Sequence, residues 1–457
     1  MSSSAHYTGQ VSESHSYNTQ EIPLSLKSNN SAQAIRANNR HFQLATSSAS
    51  TQSSGGILLF NIPPSNIAIS RSTMYLRCRV TATCTAFPTY ADANTSMFFS
   101  GPGPLVAPTL STGAAAGGAF VPQLSNGYSW IQRLTLYGTG SSVVDQCNYV
   151  NDTMNCMLMH NTAPQFLAND GQIQIGVARP WDRSGGTQNA YIDLCLPLPL
   201  SCFNNSQHDF PLYLCNNPMT LQIDMASFAR AIGTGATTAA TEYTVSNTFL
   251  CYEALELPHS LIEAERQAVK THPFIMPLQS WLNVQVPLSN LASYTLGINA
   301  SSVRNVFILP LGAAAYVADG NADNYVRTVG NTDVATSWGS GTNLQIYIDG
   351  NIKNSCILDN PVMQFMQLKQ ALHNNIQSSV IYPSISTLAS YVLNYYALGI
   401  DCVSFDDEST IFGATPASNL NIQLTNYQAQ PTYLATVLIS YDTLLAFKEG
   451  GMMEIKR

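Results

Sequence analysis

Three blocks of this chain occur twice in the same order, and this repetition narrows the possible folds more than any other feature. Arg133-Leu-Thr-Leu-Tyr-Gly138 is followed by a polar turn, Val143-Val-Asp145, and a Met-rich stretch ending at His160-Asn161. Leu344-Gln-Ile-Tyr-Ile-Asp-Gly350 is followed by Ile357-Leu-Asp359 and a second Met-rich stretch ending at His373-Asn374. Gly138 to His160 is 22 residues and Gly350 to His373 is 23. Further along, Asn217-Pro-Met-Thr-Leu-Gln-Ile-Asp224 parallels Ser418-Asn-Leu-Asn-Ile-Gln-Leu424. Phe249-Leu-Cys-Tyr-Glu253-Ala-Leu parallels Val437-Leu-Ile-Ser-Tyr-Asp442-Thr-Leu. The offsets are 212, about 200 and 189, shrinking as the loops of the second copy shorten. A unit of roughly 200 residues is therefore duplicated within the 457.

The repeated unit is a β unit. Met74, Leu76, Cys78 and Val80 alternate with Tyr75, Arg77, Arg79 and Thr81. Met219, Leu221, Ile223 and Met225 alternate with Thr220, Gln222 and Asp224. The same period appears at Leu282, Val284, Val286 and Leu288, at Leu344, Ile346 and Ile348, and at Leu420, Ile422 and Leu424. A period of two places one side of a strand in a core and the other outside it. Many short strands between Gly, Pro and Asn turns indicate a sandwich or barrel.

Helical spacing is confined to a few places. Ser260-Leu-Ile-Glu263 reads as a capping box, and its helix should run to about Lys270 because Pro273 stops it. Asn360-Pro361 reads as a cap and first helical residue, with Val362, Phe365, Met366 and Leu372 on one face. Ser386 to Leu398 carries Leu388, Tyr391, Val392, Tyr395 and Leu398 at helical spacing, and Gly399 can end it. The stretches 99–127 and 311–342 have little regular pattern and are expected to project as long loops.

The expected organisation follows from these elements. Residues 1–55, rich in Ser, Asn and Gln, form a flexible N-terminal arm. A first unit spans 56–258, a connecting helix 259–273, a second unit 274–447 and a C-terminal tail 448–457. The first strand of the second unit is expected at Trp281–Leu288.

Charge and cysteine content exclude several partners. Charged residues are only 10% of the chain, against about 25% in an average soluble domain. Ser, Thr, Asn and Gln replace them, giving a polar surface that costs little to desolvate. Such flanks suit contact with further copies of the same chain. Net charge is −8, and the first forty residues carry only Lys27, Arg36 and Arg40. Close coating of nucleic acid needs cations to displace counterions, so direct tight nucleic-acid binding is not expected. The ten cysteines form no CxxC pair and no Cys/His ligand spacing, and fit a reducing compartment. The start, Met1-Ser-Ser-Ser-Ala-His, is not a signal peptide, and no run of 18 apolar residues occurs.

One region carries a family resemblance. Tyr191-Ile-Asp-Leu-Cys-Leu-Pro-Leu-Pro-Leu-Ser-Cys-Phe203 is followed by Asp209-Phe-Pro-Leu-Tyr-Leu-Cys-Asn-Asn-Pro-Met-Thr-Leu-Gln-Ile223. This succession of a strand, a Pro-Leu step with aromatics, a polar gap, a second Pro-Leu step and a Leu-x-Ile strand resembles the double jelly-roll major capsid proteins of icosahedral DNA viruses, including large DNA viruses and virophages. The Leu-x-Gly-x-x-x-x-Val-x-Asp pattern through Gly138, with Tyr149 after it, is similar to the strand-to-helix passage of each such roll. The resemblance implies an all-β fold of two tandem eight-stranded jelly-roll sandwiches with a few short helices, assembling as a pseudo-hexagonal trimer. It implies a capsid protein of the virion, made in the host cell cytoplasm. It also implies neighbouring capsomers and minor or penton proteins as partners, and inner-layer or inner-membrane contact through the termini. It transfers no catalytic residue.

A search for chemistry returns little. Gly138-Thr-Gly140 and Gly339-Ser-Gly341 lack the helix start and Lys of a phosphate-binding loop. His160 and His373 sit at helix ends, where the helix dipole favours them without any metal. Asp319, Asp323 and Asp406-Asp-Glu408 have calcium-binding chemistry but equally suit solvated loops. Asn94, Asn151 and Asn299 begin sequons, which without a signal peptide are chance matches. Trp130, Trp181, Trp281 and Trp338 suit core or interface packing, or alternatively sugar platforms. No catalytic, cofactor or metal residue is therefore assigned, and no enzyme activity is expected. The rival reading is a β-sandwich carbohydrate-binding or spike-type protein.

Overall fold

The computed structural model describes residues 39–83, 127–138, 142–161, 182–183, 189–203, 208–231, 242–287, 292–312, 343–353, 360–373, 397–403, 415–425 and 433–456. The first half is built on β1 (Asn39–Thr46), β2 (Thr51–Ser53), β3 (Ile57–Ile62), β4 (Ile67–Ile69), β5 (Tyr75–Thr83), β6 (Ile131–Tyr137) and β7 (Val143–Asn148). After helix α1 (Val150–Asn161) come β8 (Asp182–Arg183), β9 (Asn189–Pro197), β10 (Met219–Met225), a helical turn α2 (Phe228–Ala231) and β11 (Glu242–Glu256). Helix α3 (His259–Thr271) leads to the second half. That half contains β12 (Phe274–Pro287), β13 (Ala292–Gly312), β14 (Asn343–Ile348), β15 (Asn351–Ile352), helix α4 (Pro361–His373), β16 (Leu398–Asp401), β17 (Thr415–Thr425), β18 (Tyr433–Lys448) and β19 (Met452–Lys456).

Strand pairing shows that the halves share one topology. In the first, one layer runs β1-β11-β5-β9 and the other β3-β10-β6-β7. In the second, one layer runs β12-β18-β13-β16 and the other β13-β17-β14-β15. Numbering the main strands one to eight within each half, both give first-eighth-third-sixth facing second-seventh-fourth-fifth. This is the jelly-roll order, made twice. β13 serves as both second and third strand. Its start, Ala292–Gly297, pairs with β17, and its end, Val303–Gly312, pairs with β18. Between them the register breaks, and Asn299 takes a φ of 51°. Such irregularities let a strand turn a corner from one layer to the other.

The duplicated blocks occupy equivalent places. β6 lies between β10 and β7, and β14 lies between β17 and β15. Leu136 faces Leu221, and Ile348 faces Leu420. All four are buried.

The alternation read from the sequence holds in most strands. Leu76, Cys78 and Val80 on β5 are buried, as are Met219, Leu221, Ile223 and Met225 on β10. The turn from β14 to β15 is the two-residue Asp349-Gly350, both with positive φ, the conformation that matches the twist of a hairpin. α4 starts as expected. The Val362 backbone N–H donates to Asn360 Oδ1 at 2.8 Å, and Pro361 needs no partner in the first turn.

Several expectations differ from the structure. The arm expected over 1–55 is folded from Asn39 onward, because β1 supplies the first strand of the first roll and pairs with β11 along its whole length. The tail expected over 448–457 contains β19, which folds back on β18. β12 begins at Phe274, seven residues before the expected Trp281, because an edge strand tolerates Pro277. The capping box at Ser260 and Glu263 does not form. Pro258 is the N-cap, and Glu263 bonds Arg266 at 3.1 Å instead. The helix does stop where expected, with His272 extended before Pro273. On α4 the buried face is Leu368, Ala371 and Leu372, while Val362 and Met366 are exposed. The helix expected over Ser386–Leu398 lies outside the described residues except for its end, where Leu398 and Gly399 belong to β16. The expected long loops also lie almost wholly outside the described residues.

Candidate assembly interface

Among the described residues, an extended polar cluster lies where the two rolls meet. β12 is the outer strand of the second roll, and β7 is the outer strand of a layer in the first. They pack against each other, so the strand faces turned toward the neighbouring roll are buried as well. This explains why Asn283 is 2% exposed although the alternation of β12 would leave it in water.

Asp145 on β7 is at the centre of this joint. Its carboxylate accepts from the Ser201 N–H at 2.7 Å and the Ser201 hydroxyl at 2.8 Å. It also accepts from the Ser280 hydroxyl of β12 at 3.2 Å. Burial pushes its carboxyl above the ordinary carboxylate range, against the lowering effect of those bonds. Asn283 Nδ2 donates to the Asn148 carbonyl at 2.6 Å and to Thr153 Oγ1 on α1 at 2.9 Å. Asp152 on α1 accepts from the Thr436 hydroxyl of β18 at 2.9 Å and from Arg230 at 2.6 Å. Its carboxyl is raised too, with burial outweighing the Arg230 charge. Ser280, Asn283 and Thr436 of the second roll thus each bond a group of the first, while Asn283 Oδ1 is buried without a hydrogen-bond partner among the described residues.

Around this cluster the contact is apolar. Phe203 and Phe210 of the first roll and Phe447 and Phe274 of the second form a chain, with ring centroids 5.0, 5.6 and 5.7 Å apart. The connecting helix is fastened to the first roll. The Tyr213 hydroxyl donates to Glu265, and Arg266 Nη2 donates to the Tyr213 carbonyl at 2.9 Å. The turn into β19 presses Gly451 on the Asn216 backbone, and Met453 of β19 fills the space beside Gly138. A narrow cleft lined by Val143, Asp145, Ser280, Trp281 and Tyr441 remains beside the joint. Its volume of about 30 Å³ holds a water or two.

The residues considered for other chemistry do not converge here. Trp130 is fully buried in the first roll, and Trp281 stacks toward Phe307 with centroids 6.3 Å apart. Trp181, Trp338, Asp319, Asp323, Asp406, Asp407, Glu408 and Asn94 lie outside the described residues. So do Thr139–Gly140 and Gly339–Gly341 of the two glycine motifs. His160 and His373 fall at the ends of α1 and α4, as the spacing implied. Asn151 is buried on α1, and Asn299 sits at the corner of β13. Among the described residues no three His, Cys, Asp or Glu side chains gather closely enough to hold a metal. The described cysteines are free thiols, six of them buried. Burial pushes Cys147, Cys156, Cys215 and Cys402 up to about 12.

Nothing in the sequence marked Asp145, Ser280, Asn283 and Thr153 as one cluster, because they come from both halves of the chain. The single available signal was the acid at corresponding positions of the two repeats.

No family model matches this sequence, and no curated protein matches it. Solved structures do match. The VP54 protein of the virus PBCV-1, fitted into a reconstruction of the virophage Sputnik, is 12% identical with a TM-score of 0.58, over 92% of this chain and 97% of that one. The Faustovirus major capsid protein is 8% identical with a TM-score of 0.57, over 90% of both chains. A chain of the Sputnik virophage is 11% identical with a TM-score of 0.53, over 92% of this chain and 89% of that one. The likeness spans both rolls and the joint between them, and this chain has the tandem jelly-roll fold of those viral proteins.

Proposed function

We propose that this chain is the major capsid protein of an icosahedral virus, a structural protein without enzymatic activity. Its working unit is a homotrimer, three pairs of rolls in a pseudo-hexagonal ring, and these tiles cover the virion. One observation carries the reading: nine-tenths of the chain aligns with a protein described as a major capsid protein. The domain division follows the sequence, with rolls over 56–258 and 274–447 joined by 259–273, and with β1 added to the first roll. The partners are further trimers, minor and penton proteins, and an inner layer or membrane met through the termini. Nucleic acid is not held directly, because the acidic chain offers few cations.

The fold suits this work for physical reasons. The buried apolar residues of both rolls form one continuous core through the joint, which ties the pair together. Shell geometry is then set by how such pairs meet. Purified protein is expected to run near three times 49.5 kDa under native conditions and to show hexagonal tiles with three-fold symmetry by electron microscopy. A stable monomer at high concentration, or calcium-dependent glycan binding without tiles, would overturn the reading.

A further inference from the structure

β19 belongs to the second roll by its pairing and to the joint by its side chains. It pairs with β18 over Leu444–Lys448 and, among the described residues, with no other strand. Along it Met453 is buried and Ile455 half-buried, while Met452 and Glu454 are exposed. The two covered side chains reach the first roll. Met453 occupies the space that Gly138 leaves by having no side chain, close to Val144. Ile455 lines the narrow cleft together with Val143, Asp145, Ser280 and Tyr441. One wall of the cleft that Asp145 borders is therefore a strand held on one side only.

Little fastens that strand. Its ladder is short, whereas β12 pairs with β18 all the way from Phe274 to Pro287. It is reached through Gly450 and Gly451, at φ of 79° and 71°, a turn that glycine adopts and leaves at no steric cost. On the outer side Lys448 pairs with Glu454, both close to half exposed, and pairs of that kind contribute little. An element with one short ladder and few apolar anchors opens locally at a lower cost than the sheet it joins. Opening also returns water to Asp145, which offsets part of the lost apolar contact, because a carboxylate is costly to hold buried.

We propose that β19 is a releasable strap across the joint. It leaves β18 while both rolls remain folded, and its departure admits water to Asp145, Ser201 and Ser280. Met453 is the peg that seats it, and Ile455 is the stopper of the cleft. The strap thereby sets how firmly the two rolls are held together. The device resides within one chain and goes beyond the shell-protein reading, on which it does not depend.

Hydrogen exchange followed by mass spectrometry on the full chain tests this. In the wild type the Ser201 N–H, which donates to Asp145, should exchange in step with the hydrogen-bonded amides of β19 and faster than those of β10. Met453→Ala should speed both by on the order of tenfold or more and leave β10 unchanged. Lys448→Glu, on an exposed side chain, should speed both by about two- to fivefold, and adding Glu454→Lys should return them to the wild-type rate. Should Met453→Ala disturb β10 as well, the two charge variants decide alone. Exchange that quickens in β19 while Ser201 stays as slow as β10 overturns the proposal, because the strap would not guard the joint. A wild type in which Ser201, β19 and β10 all exchange together overturns it too, because the strap would leave only when the whole chain unfolds.

Discussion

At the residue scale, Asp145 shows how a carboxylate becomes structural. It gains three hydrogen bonds from Ser201 and Ser280 and loses its water. Asp145→Ala should destabilise the fold by about 1–3 kcal/mol, since the Ser201 N–H would be buried unpaired and the two serine hydroxyls would keep only each other. The pH dependence has a definite sign. The folded carboxyl is raised, so the folded state holds its proton more tightly than the unfolded one. Stability is then greatest below the ordinary carboxylate range and falls as pH rises from there through the raised value. Asp145→Asn should flatten this decline and leave the share due to Asp152, whose carboxyl is raised as well. Denaturant midpoints measured from acid to neutral pH decide it, and an unchanged slope in the Asn variant would contradict the account.

At the element scale, the C-terminal hairpin acts as a clasp. β18 and β19 turn through Gly450 and Gly451, both at positive φ, and Gly451 sits against Asn216 of the first roll. A Cβ at Gly451 would lie 2.5 Å from the Asn216 backbone nitrogen. Gly451→Ala should therefore cost more than the roughly 1–2 kcal/mol of a left-handed alanine alone. Thermal unfolding would register the loss, and Gly350→Ala, in open space at a similar φ, gives the conformational part alone. Elements also show where sequence reading fails. β10 was legible because its alternation reflects one local fact, a strand with one covered side. β1 was not, because its apolar Phe42 and Leu44 point out while His41, Gln43 and Ala45 point in. In β18 both sides are buried from Ala435 to Phe447, so polar Thr436, Ser440 and Asp442 sit where the period alone would place water.

At the scale of the whole molecule, one apolar core runs through both rolls, with a phenylalanine chain and a polar joint where they meet. The rolls should therefore unfold together. Tryptophan fluorescence, which samples Trp130 in one roll and Trp281 at the joint, should trace the same transition as far-UV circular dichroism. Phe447→Ala should cost about 3–5 kcal/mol, as for a fully buried ring. Two separated transitions in the wild-type protein would mean that the joint is weaker than its burial implies.

The amino-acid sequence alone determined the duplication, the β character of each copy, the order of the paired blocks and the helix that links them. These follow from covalent order and from side-chain period, which are local properties. Tertiary structure alone decided that β1 opens the first roll, that Asp145 and Asn283 meet, and which faces stay uncovered. Those outcomes depend on one roll lying against another, and burial from outside a strand leaves no periodic trace along it.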